Sequence, residues 1–194
     1  MKALRNLALL GAVLVASASS AFATSITYST AGIFSSSGTG IATFGSGANT
    51  LTLTFIAISS VSLNTPTYAS LGDIVSTVTG SGATASGTFN LTVNQTGPTV
   101  ASGVFLDLVS GAIASNSSTG LLDFTNLTLN LGPSIYTLQQ PPNGYFLVPP
   151  NSNGGVTTIQ MAITSTPEPS SLILLGTGLF GASAFFFRRQ RRRA

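Results

Sequence analysis

The sequence predicts an all-β body, an antiparallel sandwich or jelly-roll-like domain, and three observations lead there. Polar and apolar residues alternate in short runs. Clusters of Gly, Pro, Asn and Ser separate those runs, and no stretch between residues 24 and 166 keeps a helical period. A period of two sends successive side chains to opposite faces of a strand, and many short strands joined by turns build sandwiches or barrels. A β-solenoid would need a repeat of constant length, and none is found.

Taken in chain order, the first element is a targeting segment. Lys2 and Arg5 precede an apolar run at residues 7–16, and small residues then lead to Ala21-Phe22-Ala23. This order is that of a secretory signal peptide, cut by signal peptidase after Ala23, with Ala21 and Ala23 as the small residues of the site. About ten apolar residues fall short of the roughly 20 that a spanning helix needs.

The body, residues 24–166, is expected to hold about ten strands, by the alternation criterion. Three of them carry the clearest alternation. In residues 50–55 Leu51, Leu53 and Phe55 share one face while Thr50, Thr52 and Thr54 share the other; residues 88–93 and 127–131 repeat the device. The remaining strands are expected at 26–29, 41–44, 74–79, 104–109, 135–138, 145–148 and 156–163. Ala85-Ser86-Gly87-Thr88-Phe89 resembles Ala101-Ser102-Gly103-Val104-Phe105, which favours neighbouring antiparallel strands across the loop at 94–98. A disordered Ser/Thr stalk would lack apolar residues. Here Phe34, Phe44, Phe55, Phe89, Phe105, Phe124 and Phe146 recur at strand positions and supply a core.

The last element begins at Pro167-Glu168-Pro169-Ser170-Ser171. It continues as an apolar run at 172–187 and ends in Arg188, Arg189, Arg191, Arg192 and Arg193. Pro167 and Pro169 enforce an extended approach, and the serines can cap a helix start. Sixteen residues at a 1.5 Å rise span about 24 Å, a short single transmembrane helix. Its arginines belong on the cytoplasmic side and act as the stop-transfer cluster, which leaves the body outside the inner membrane.

This tripartite tail resembles the PEP-CTERM sorting signal of Gram-negative bacteria. The resemblance implies that Pro167, Glu168 and Pro169 are recognised by an exosortase, which removes the tail and passes the protein to the outer surface. It implies a single-pass membrane precursor, then a surface or extracellular protein with a structural or adhesive role in a polysaccharide matrix. The same kind of tail is also called an ice-binding protein C-terminal domain, a label for the tail rather than an activity. Gly176, Gly178 and Gly181 spell a dinucleotide-binding pattern, but inside an apolar run that ends in arginines they suit helix packing instead.

Composition then narrows the chemistry. All seven cations lie at residues 2, 5 and 188–193, so residues 24–166 carry Asp73, Asp107 and Asp123 and no cation. Nucleic-acid binding lacks its basic surface. With no Cys and no His in the chain and no Lys in the body, neither a Ser-His-Asp nor a Ser-Lys arrangement can be assembled, so no enzyme and no cofactor is expected. Asp107 and Asp123 are read as residues of a strand's solvent face or edge, and as weak calcium candidates, since calcium accepts carboxylates together with carbonyl oxygens. Thr50, Thr52 and Thr54, with Thr88, Asn90 and Thr92, form candidate ligand faces for glycan or ice. Against that stands the ordinary preference of Thr for exposed strand positions. Sequons at Asn90, Asn94, Asn116 and Asn126 are expected by chance in so Ser- and Thr-rich a chain.

The charge map yields a direct test. The processed protein, residues 24–166, should survive trypsin intact even in urea, because it offers no Lys or Arg; internal tryptic fragments in a mass spectrum would place the processing sites elsewhere.

Overall fold

The computed structural model describes residues 24–166 and 176–179. The chain divides into two units, Thr24–Thr164 and a second made of Met1–Ala23 with Ser165–Ala194. The first is all-β. Its strands are β1 (Ser25–Phe34), β2 (Ile41–Ser46), β3 (Asn49–Ala57), β4 (Val61–Asn64), β5 (Thr67–Thr79), β6 (Ala83–Gly97), β7 (Ala101–Ile113), β8 (Leu121–Phe124), β9 (Thr128–Leu131), β10 (Ser134–Leu138), β11 (Tyr145–Phe146) and β12 (Val156–Ser165). Every pairing is antiparallel. Sheet A has the order β11-β8-β7-β6-β1-β4 and sheet B the order β2-β3-β5-β12-β10-β9.

The alternation read in the sequence sets which face is buried. Leu51 and Leu53 of β3 and Phe89, Leu91 and Val93 of β6 are fully buried, while the threonines between them face outward. A one-residue slip would turn each of these sets to solvent, so burial fixes the register. The inner faces of both sheets meet in one core. Phe55 of sheet B lies 5.3 Å, centroid to centroid, from Phe89 of sheet A, and Phe34 lies 4.7 Å from Phe89. Gly32 on β1 permits that approach, since a Cβ there would sit 2.5 Å from the Phe55 ring and 2.6 Å from Phe89.

Tyrosine hydroxyls tie the two sheets together. Tyr28 of β1 donates to the Ser70 carbonyl on β5 at 2.7 Å, and Tyr145 of β11 donates to the Gln160 carbonyl on β12 at 3.0 Å. Tyr136 of β10 donates to Gln95 Oε1 on β6 at 2.7 Å. Gln95 follows Phe89, Leu91 and Val93 in the same inward parity, so its amide is buried and must be satisfied there. Its Nε2 donates to the carbonyls of Thr99 at 2.9 Å and of Leu131 at 3.3 Å. Burial pushes the hydroxyl pKa values of Tyr28, Tyr136 and Tyr145 upward, which keeps these donors protonated.

Several sequence expectations change in extent. The strands β4 and β8 are additional, each too short for alternation to stand out, while the strand expected at 145–148 shortens to Tyr145–Phe146. The neighbouring antiparallel pair suggested by the Ala-Ser-Gly similarity is β6 and β7, joined through Pro98, Thr99 and Val100. Gly176–Leu179 is helical, and among the described residues no helix is long and apolar enough to cross a membrane. The signal helix at 1–23, and residues 172–175 and 180–187 of the expected membrane helix, lie outside the described residues.

Tyr136→Phe should lower stability by about 1–3 kcal/mol, because it strands the buried Gln95 acceptor. A urea titration would register this as a lower midpoint with an unchanged slope; an unchanged midpoint would deny the tie its weight.

Candidate functional site

Thr50, Thr52 and Thr54 point outward from β3, which lies between β2 and β5 in sheet B. Register gives the threonines neighbours that sequence alone does not show. Thr43 of β2 and Thr77 of β5 flank Thr52, and Thr79 flanks Thr50. Six threonines therefore form one grid across three strands, with Ile41 and Val75 flanking Thr54. Strand geometry spaces it at about 4.8 Å between strands and about 6.8 Å along each strand. Thr43 and Thr52 share a hydroxyl hydrogen bond of 3.1 Å, and Thr77 donates to the Thr52 carbonyl at 3.4 Å. The Thr43 and Thr52 hydroxyls are thus fixed on each other, and that of Thr77 on the backbone. The three added residues lie in two expected strands, so register was the missing signal.

Thr88, Asn90 and Thr92 form the second expected row, on β6 of sheet A. Because β3 and β6 belong to different sheets that bury their other faces against each other, the two rows face opposite sides of the body. The row on β6 runs beside Leu108, Leu106 and Val104 of β7, and Ile33 of β1 pairs with Asn90 on its other side. All four aliphatic residues are exposed. A shallow depression of about 280 Å³ is lined by Thr88, Asn90, Leu106, Asp107, Leu108 and Thr125.

The aspartates separate into three unlike environments. Asp73 accepts a 2.6 Å hydrogen bond from Thr158, and Asp123 accepts one of 2.9 Å from Gln140 Nε2. Asp107 corrects the solvent-face expectation: it is 2% exposed and faces the core. In Phe105-Leu106-Asp107-Leu108-Val109 the two phases compete, and Phe105 and Val109 win the inner face, carrying Asp107 inward with them. Register sets it beside Phe89 on β6 and Phe124 on β8.

Neither carboxylate oxygen of Asp107 has a hydrogen-bond partner. Burial pushes its pKa up to about 7; the nearby backbone N–H groups of Asp123 and Leu108 pull downward without closing a bond, and the Asp123 charge adds to the rise. Asp107 and Asp123, the calcium candidates, point to opposite faces of sheet A and do not share a site. Among the described residues no three His, Cys, Asp or Glu side chains gather where a metal could sit.

The sorting residues Pro167, Glu168 and Pro169, the cleavage residues Ala21 and Ala23, and the cluster Arg188, Arg189, Arg191, Arg192 and Arg193 lie outside the described residues. Family comparison reaches the tail nonetheless. Residues 165–193 match the family model described as the PEP-CTERM protein-sorting motif. No curated protein and no solved structure matches the chain. The chain thus carries, over residues 165–193, a PEP-CTERM protein-sorting motif, which indicates an exported protein sorted by an exosortase.

Proposed function

We propose that the body is a structural or adhesive component of the extracellular polysaccharide matrix, delivered to the cell surface through its tail. The observation that carries this reading is the pairing of that sorting motif with a β body devoid of cationic side chains. Such a surface meets a neutral, hydroxyl-rich polymer without stripping water from ammonium or guanidinium groups, a costly step when no partner charge awaits them. Asp107 sits in the core, so two aspartates, Asp73 and Asp123, remain near the surface.

The six-threonine grid favours a second reading, in which the body binds glycan or ice through the outer face of β2, β3 and β5. Threonines held at strand spacing by register can match a regularly hydroxylated surface, and an array spaced by the backbone loses little freedom on binding. The structural reading requires no such face, so the grid is where the two readings diverge.

Retention of the exported protein on insoluble polysaccharide, or shaping of ice crystals by it, would decide for the binding reading, and absence of both leaves the structural one. If the grid binds, Thr52→Lys together with Thr77→Lys should cut retention by about tenfold or more, equivalent to about 1.4 kcal/mol, with the urea midpoint nearly unchanged. Unaltered retention would move the site elsewhere. Replacing Pro167, Glu168 and Pro169 by alanine should trap a membrane-bound precursor, visible as a larger band in the membrane fraction; normal surface delivery would refute recognition through these residues.

A further inference from the structure

Asp107 has no role in either reading, yet it is the one carboxyl of the body driven into the core with both oxygens unpartnered. An orphaned neutral acid in an apolar setting is costly, and an orphaned charge costs far more. Two aromatic groups lie beside it. Phe89, its partner on β6, packs with Phe34 and Phe55, while Phe124, its partner on β8, packs edge-on with Phe105 at 6.3 Å and Tyr145 at 6.1 Å.

The cheapest way to bring water to this carboxyl is through the sheet edge. β8 holds β7 over four register pairs, Asp107–Phe124 to Ser110–Leu121, and β11 holds β8 over two. By contrast β6 and β7 pair over thirteen residues from Ala83 to Gln95. By register pairs the β8–β11 edge is the most briefly held part of sheet A, anchored to sheet B through the Tyr145–Gln160 hydrogen bond, and local opening favours such short units.

We propose that Asp107 makes this edge a proton-controlled flap: with its proton the carboxyl is tolerated and β8 and β11 stay closed, and without it β8 and β11 lift and expose Phe124, Tyr145 and Phe105. The titratable groups around it are few. Asp123 on β8 acts on it with a like charge, Tyr145 on β11 carries a hydroxyl raised by burial, and β6 and β7 bring no other ionisable side chain. No cation exists in the body to pair with an ionised Asp107. The surface uncovered on opening is apolar and aromatic, of the kind that associates with a second apolar surface.

The direction in pH follows from linkage. In the open flap Asp107 ionises at the ordinary value of 3.8, whereas closed it keeps its proton up to about 7. Between those values the open form has released a proton that the closed form retains, so opening grows with pH by about tenfold per unit and levels off beyond both ends. Closure is therefore strongest on the acid side and weakest above pH 7.

Hydrogen exchange on the full chain in non-ionic detergent tests this. After correction for intrinsic amide exchange, peptides covering Leu121–Phe124 and Tyr145–Phe146 should open about two hundredfold more at pH 7.5 than at pH 4.5. Peptides covering β3 and β5 should stay level, and Asp107→Asn should abolish the dependence. Asp107→Leu serves the same purpose should the Asn variant not fold. Three outcomes would overturn the proposal: no pH dependence at β8 and β11 in the unmodified chain, an equal rise in β3 and β5, or the same rise in a folded variant.

Discussion

The bond from Tyr136 to Gln95, with the flanking ties of Tyr28 and Tyr145, is the constraint on which the two-sheet body depends. Apolar burial is non-directional, so it drives the sheets together without fixing how one sits on the other. Direction comes from polar groups that must be met inside. Gln95 occupies an inward position on β6 and would strand its amide unless Tyr136, Thr99 and Leu131 reach it. Three of the four tyrosines cross from one sheet to the other in this way. Disulfides and salt bridges are unavailable, since the chain has no cysteine and the body no cation. A fully satisfied buried network is then the main source of specificity.

How far this could be read from the sequence depends on how cleanly each strand alternates. Residues 50–55 and 88–93 place bulky apolar groups on one parity and Thr or Asn on the other, so their faces were legible directly. Residues 105–109 place apolar groups on both parities, and only pairing against β6 decides that Phe105 and Val109 go in and Leu106 and Leu108 go out. Asp107 was misassigned for that reason. The threonine grid was half visible: each strand advertised its own threonines, but alignment of Thr43, Thr52 and Thr77 is a property of register, which is non-local. β4 and β8, of four residues each, are too brief for a period to rise above composition.

A cation-free body must also manage its sheet edges without the lysines that commonly guard them. Length does the work instead. The edge strands β4, β11, β2 and β9 run four, two, six and four residues, against fifteen for β6 and thirteen each for β5 and β7. Short edges present few unpaired backbone groups to a neighbouring chain. Gln140 adds a cover at one of them: its Oε1 accepts from the Phe124 N–H at 2.8 Å while its Nε2 holds Asp123.

The same absence of cations explains why Asp107, unlike Gln95, goes unpartnered in the core. Gln95 is neutral, so hydroxyl and carbonyl neighbours suffice for it. Asp107 as a carboxylate would need a cation or several converging donors, and the body offers neither: the nearest N–H groups belong to Leu108 and Asp123 and close no bond. A lysine or arginine brought in to pair with it would place a cation in a body that has none, and would require a second buried desolvation. Keeping the proton is the remaining solution, and it confines the cost to one short edge. The basic character of the whole chain therefore says nothing about the body's interior; it comes from Lys2, Arg5 and the terminal arginines, while the folded β body is built to hold polar groups without positive charge.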